Sequence, residues 1–237
     1  MLKRFYAYPP KECEWPFILR NINEKPYPCK HEIVDIKVYD LVKHPHRHSK
    51  EKLGRWETIE TDGWKVVPDC PDFKGENVSS CQDWDIDPIE YSHELLEKYY
   101  TDPISQMPVI QTLANDLTSL NDYCNYFKKE YDHPKQLAVS GSICRVNNLD
   151  FVYRGVKLVR RHFPDSWIHL FAPRLHHIRK LYPLIESFDS SCWTFPRIGN
   201  QGMASCKAHE RVEYFWNYVD ILNSHIGFGI NQTRLGW

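Results

Sequence analysis

Apolar positions along this chain follow two spacings, and the two alternate. Short runs of β-branched and aromatic residues cover positions 5–8, 15–19, 33–39, 66–67, 108–110, 136–139, 167–171 and 185–188. Their length and their flanking prolines and polar residues predict strands. Between them apolar residues recur three and four apart. That spacing predicts helices over residues 49–61, 89–100, 115–131, 149–162, 175–182 and 212–222. In 115–131, Leu117, Leu120, Tyr123, Cys124 and Phe127 share one face. Ser49 is placed to cap the first of these helices. Residues 71–87 are acidic and turn-rich, which predicts an excursion from the core. The tail, 227–237, carries few signals.

From about residue 33 onward strands alternate with helices, the pattern of βα units around a parallel sheet. The expected fold is α/β: a TIM-type (β/α)8 barrel, compact or irregular. A doubly wound open sheet is the alternative. With 237 residues and no internal repeat, a single domain over 1–237 is expected.

Composition narrows this picture. Hydrophobic residues make up 42 %, enough for a sizeable core, and the formal net charge is −1. No global field draws the chain to nucleic acid, so such contact must come from local basic patches. Three are candidates: the tract 44–50 with its three histidines, the run Arg154, Lys157, Arg160 and Arg161, and the cluster Arg174, His176, His177, Arg179 and Lys180. The first reads as a solvated basic loop, with a phosphate loop or metal tract as alternatives. The other two read equally as solvated helix faces. The 8 cysteines form no Cys-x-x-Cys pair, and the first residues lack an apolar signal core. Reduced thiols and a cytoplasmic location are expected, host cytoplasm if the chain is viral. No run is long enough to span a membrane, so no membrane partner is expected.

The candidate chemistry sits where the strands end. Asp35 lies in the run 33–39. Asp69 follows Val66-Val67-Pro68, Gln111 follows Val109-Ile110, Ser140-Gly141-Ser142 follow Val139, and Asp189 follows Phe188. Singly, each has a plain structural use: Asp189 as a cap, Asp69 in a turn with Pro68, Gln111 at a helix entry. Parallel strands, however, point their C-terminal ends to one face, where such residues converge. A carboxylate accepts from the N1–H and exocyclic amine of a guanine edge. An amide and a backbone N–H donate to O6. Two remaining carboxylates suit glycosidic exchange, one as nucleophile and one moving protons.

Phe188-Asp189-Ser190-Ser191-Cys192-Trp193 with Pro196-Arg197 resembles the nucleophile segment of the tRNA-guanine transglycosylase superfamily. The run Leu137-Ala138-Val139-Ser140-Gly141-Ser142-Ile143-Cys144-Arg145 is similar to its base-recognition loop, in the form used by the 7-deazaguanine DNA transglycosylases. The likeness covers roughly residues 30 to 200 and is weakest over 33–39. It implies Asp189 as nucleophile, Asp35 as the proton-transfer acid, Asp69 as the base-reading acid, Gln111 as the O6-reading amide, and Gly141 as a backbone donor flanked by Ser140 and Ser142. Ile36-Lys37 replaces the small pair usual after the proton-transfer acid, and Asp40 is the rival for that role. Arg145, Arg174 and Arg197 are the candidate phosphate contacts.

The resemblance further implies DNA as polymer partner and a 7-deazaguanine, such as 7-cyano-7-deazaguanine, as the incoming base. A tRNA enzyme with a partner subunit and a catalytically idle nucleobase-binding barrel are the alternatives. No cofactor is expected. The zinc motif of the tRNA enzymes is reduced here to Cys206-x-x-His209, with Cys192 and His225 as distant partners, and a structural cysteine and a surface histidine are the plainer reading.

Overall fold

The computed structural model describes residues 3–38, 47–72, 86–144, 146–194 and 206–226. Asp40, Arg145 and Arg197 lie outside them, as do most of the excursion and the tail.

The chain is a mixed α/β structure with parallel sheets. The strands are β1 (Arg4–Tyr6), β2 (Phe17–Asn21), β3 (His31–Asp35), β4 (Trp64–Val66), β5 (Gln106–Met107), β6 (Val109–Ile110), β7 (Gln136–Val139), β8 (Trp167–Leu170) and β9 (Ser187–Asp189). The helices are α1 (Lys50–Thr58), α2 (Pro88–Tyr99), α3 (Leu117–Tyr131), α4 (Gly141–Cys144), α5 (Leu149–His162), α6 (Leu175–Leu181) and α7 (Ala208–Ile226).

One sheet runs β1-β9-β8-β7-β6 and the other β2-β3-β4-β5, and among the described residues every strand pair is parallel. The sheets meet twice. Ala7, just past β1, donates to the Phe17 carbonyl and accepts from the Leu19 N–H, at 3.2 and 3.1 Å. At the other place β5 and β6 are consecutive, parted only by Pro108, which has no N–H to donate. Its carbonyl still accepts from Ala138 N–H at 2.9 Å.

Burial explains the sequence pattern. All four residues of β7 are buried, so that strand reads as a continuous run rather than an alternation. Helix α5 turns Val152, Gly155, Val156 and Val159 inward and places Arg160, Arg161 and His162 in its last turn, where the helix dipole favours them. The N-caps are local and legible. Asp116 accepts from the N–H groups of Thr118 and Ser119, and Asn148 from those of Asp150 and Phe151. Asp87 caps α2 ahead of Pro88. A Cβ at Gly63 would stand 1.9 Å from the Glu32 carbonyl oxygen, so only glycine fits the approach to β3.

The core divides in two. The larger part packs strands against helices. The smaller joins Tyr6, Ile33, Val66, Met107, Val109 and Ala138, with Phe17, Leu19, Trp64 and Phe171 against them. It draws on both sheets.

Several expectations shift. The strand predicted over 33–39 stops at Asp35, because Lys37 turns into the left-handed region (φ 61°). The last helix runs Ala208–Ile226, beyond the predicted 212–222 at both ends. The loop expected at Ser140-Gly141-Ser142 becomes the helical turn α4. In the histidine tract, His48 is not solvated: it is buried, its N–H meets Tyr91 Oη at 2.9 Å, and its Nε2 lies 3.0 Å from the Asp69 carbonyl. His177 is likewise buried, which removes it from the basic surface of α6. Cys70 is disulfide-bonded, so the expectation of reduced thiols throughout fails there. Cys13, Cys29, Cys124, Cys144 and Cys206 are free. Among the described residues no helix is long and apolar enough to cross a membrane.

Candidate functional site

The strand ends bring the predicted residues to one face. Asp35 closes β3, Asp189 closes β9, Gln111 follows β6, and Asp69 lies three residues past β4. Ser140 and Gly141 join β7 to α4. Asp69, Gln111, Ser140, Ser142 and Asp189 are buried, while Asp35 is half-buried.

Each side chain is held by something identifiable. Asp69 sits on a segment tied to its neighbours, its own carbonyl facing His48 Nε2. The next residue, Cys70, donates its N–H to Ser92 Oγ and accepts back from it, at 3.0 and 3.2 Å. Asp35 takes the backbone N–H groups of Ile36 and Lys37, which the left-handed turn at Lys37 presents to it. Ser140 and Ser142 pair through their hydroxyls at 2.8 Å. Gly141 opens α4, so its N–H is not consumed by helical bonding. Asp189 Oδ1 accepts from Ala172 N–H at 2.9 Å and lies 3.3 Å from His169 Nε2. Tyr218 of α7 donates to Ser190 Oγ at 2.7 Å and braces the chain just past the nucleophile candidate.

Electrostatics show how closely the carboxylates crowd. Burial, and then the charge of Asp189, push Asp35 up to about 6 from the usual 3.8. Burial, and then the charge of Asp35, hold Asp69 well above its usual value. Like charges this close oppose one another's ionisation, so the cluster holds its protons to higher pH than free carboxylates do. Gln111 Nε2 donates to Asp69 Oδ2, and its buried Oε1 has no partner among the described residues. As oriented, Gln111 thus offers an acceptor, not the donor expected for O6. Turning the amide over exchanges the two. A protonated Asp69 then donates to Oε1, and the Gln111 N–H is released for a ligand carbonyl.

Three participants go beyond the site candidates named from the sequence. Lys52 donates from Nζ to the Lys37 carbonyl at 2.9 Å, and its charge lowers both Asp35 and Asp69. The available signal was a lysine in the first turn of α1, where the helix dipole disfavours a cation. His169 is fully buried within β8, and a buried imidazole needs partners. Cys144 is buried beside Asp189, and burial, with that charge added, drives its thiol far up. It is therefore inert as a nucleophile at neutral pH. Replacing Lys52 by methionine is expected to raise Asp35 further, so any activity requiring protonated Asp35 persists to higher pH. A pH–rate profile of the variant checks this.

The other candidates fare differently. Arg174 is exposed in the turn after β8, on the face that carries Asp189. Arg145 and Arg197 lie outside the described residues. Among the described residues no three His, Cys, Asp or Glu groups gather as a metal site. His209 is exposed in the first turn of α7, Cys206 is half-buried just before it, and the Cys192 side chain is outside what is described. Trp193 is half-buried with its ring 5.4 Å from Phe215, a packing contact with α7.

A scan of the chain against protein-family models finds no match, and a search of curated proteins finds none.

Proposed function

We propose that the chain is a guanine transglycosylase that exchanges a guanine of DNA for a 7-deazaguanine base, built on an eight-stranded α/β barrel. The observation that carries the activity is the carboxylate cluster: Asp189 faces a proton-holding Asp35, with Asp69 and Gln111 beside them. Three observations support the barrel. The two sheets touch at Ala7 and at Pro108. Counting β5 and β6 as one strand broken by proline gives eight staves. The smaller core draws on strands of both sheets, as a barrel interior does.

The reaction runs in two balanced halves. Asp189 attacks C1′ of a flipped-out deoxyguanosine, forming a C–O bond as the C1′–N9 bond breaks. The departing guanine takes the Asp35 proton. The incoming base then returns a proton to Asp35 and attacks C1′, which releases Asp189. Two inversions give net retention. Asp69 and Gln111 read the base edge, and the N–H of Gly141 adds a donor. No electron changes hands, so the reaction calls for no redox cofactor. DNA as polymer follows from the likeness of 137–145 to the loop of the DNA-modifying branch. Arg174 fits a backbone phosphate at the rim.

The test is mass spectrometry of nucleosides from DNA, and in parallel from tRNA, incubated with the protein and 7-cyano-7-deazaguanine. The expected product is the deazaguanine deoxynucleoside, with guanine released in equal amount. Incorporation into tRNA alone overturns the choice of polymer. Base binding without exchange, or hydrolysis of free nucleosides, overturns the activity.

A further inference from the structure

Behind Asp189 a line of buried polar groups runs down through the sheet. Trp167 Nε1 meets Ser187 Oγ at 2.8 Å, Ser187 Oγ meets His169 Nδ1 at 2.9 Å, and His169 Nε2 meets Asp189 Oδ1 at 3.3 Å. Ser187 and His169 are fully buried, and Asp189 is 7 % exposed. The rings of Tyr6 and Phe171 stand edge-on to the imidazole, at 5.6 and 5.1 Å between centroids. At the far end the Arg4 guanidinium covers the Trp167 ring at 4.5 Å.

The directions of these bonds follow from what each group can do. The indole only donates, so Ser187 accepts from Trp167. An ionised Asp189 only accepts, so His169 presents Nε2–H to it. The imidazole is then bare at Nδ1, and Ser187 spends its single hydroxyl proton there. One tautomer satisfies every member, and the indole at the bottom selects it.

We infer that His169 and Ser187 are positioning residues that dedicate one oxygen of Asp189 to structure and leave the other for attack. Oδ1 receives two donors, His169 Nε2–H and Ala172 N–H. Among the described residues no hydrogen bond reaches Oδ2. The second donor is held at a local cost. Ala172 has φ 45°, a left-handed conformation that a residue with a Cβ adopts against steric strain. Two fixed donors on Oδ1 stop the carboxylate from rotating, and the lone pairs of Oδ2 keep one direction. A carboxylate aimed this way loses less freedom on reaching its near-attack geometry. The inference rests on the proposed role of Asp189 as nucleophile, but the tautomer stands independently of it.

The test has two arms. In the first, ¹⁵N NMR of the full chain, with His169 assigned by loss of its signal in His169→Gln, reads the tautomer without DNA. The expected state is protonated at Nε2 and bare at Nδ1, with the preference weakened in Ser187→Ala. An Nδ1–H ring or an imidazolium at neutral pH overturns the inference. The second arm measures single-turnover formation of the DNA adduct. His169→Leu is expected to slow it about tenfold to a hundredfold, the usual loss when a supporting partner is removed, with half-saturating DNA unchanged. His169→Gln restores an N–H near the Nε2 position and is expected to recover most of the rate. A leucine variant as fast as the unmodified chain, or a glutamine variant as slow as leucine, overturns the positioning role. If the unmodified chain forms no adduct, the proposed function fails, and the NMR arm still decides the tautomer.

Discussion

Replacing Asp189 by alanine is expected to abolish the covalent enzyme–DNA adduct. Adduct and base exchange should fall together by four orders of magnitude or more, as removal of a covalent nucleophile does (roughly 10⁴-fold or greater). End-labelled DNA on a denaturing gel reads the adduct directly. Asp189→Asn is the companion variant. It retains an acceptor for Ala172 and His169, so the fold is undisturbed, while the amide nitrogen that replaces the second oxygen is not a nucleophile. Circular dichroism and DNA binding should match the unmodified chain. An adduct that survives in either variant removes Asp189 from the chemistry and returns it to the alternative first open to it, a strand-end residue fixed by its hydrogen bonds.

The second large effect belongs to Asp35, and it has opposite signs in activity and stability. Asparagine at this position can neither give nor take a proton, so exchange should fall by about 10²- to 10⁴-fold, the usual reach of general acid–base catalysis. In the unmodified chain the protonated form feeds the first half-reaction. Adduct formation should therefore decline above about pH 6, where Asp35 loses its proton. Stability moves the other way. The folded chain holds the Asp35 proton up to about 6, whereas the usual value is 3.8. Between those values the native state binds more protons than the unfolded state, so stability falls as pH rises, and it levels off above about 6. Asparagine escapes that cost. At about 1.4 kcal/mol per pH unit the gap caps the gain near 3 kcal/mol, and solvent at this half-buried group brings it to about 1–2 kcal/mol at pH 7. A higher melting temperature at pH 7 with no difference at pH 3.5, alongside lost exchange, would mark a residue kept for chemistry at the expense of the fold. A lower melting temperature at pH 7 would contradict the raised value of Asp35.

What was legible in the sequence was legible locally. Helix α5 runs over the residues its spacing predicted, 149–162, because its cap and its apolar stripe are both written within it. Strand β7 likewise follows from the apolar run Leu137-Ala138-Val139. The site candidates Asp69, Gln111, Ser140, Gly141 and Asp189 were visible because each follows an apolar run, which is a local pattern too. What escaped depends on pairs far apart in the chain. His48 is buried only because Tyr91 and the Asp69 carbonyl receive it. Lys52 meets the site through the backbone of Lys37. His169 and Ser187 are unremarkable in their own strands and gain meaning only when β8 and β9 lie side by side. The early end of β3 was hidden for another reason. The left-handed residue that ends it is Lys37, where a glycine would have announced the turn. The disulfide at Cys70 was hidden because no cysteine spacing in the sequence marks that residue for bonding.

The pairing of β1 with β9 has a consequence for how the molecule comes into being. Arg4 lies opposite Ser187 and Tyr6 opposite Asp189, so β1 waits for a strand synthesised long after it. Closing so long a loop is among the slowest and entropically most demanding steps in assembling a sheet. Until it happens, β1 and β8 both present open parallel edges, which invite pairing with other chains. A nascent chain that has not yet made β9 is thus at its most adhesive, and it also lacks the proposed nucleophile, because that strand carries Asp189. The strand that ends this vulnerable interval is the one that carries the proposed nucleophile, so completing the sheet and placing Asp189 depend on the same segment of chain.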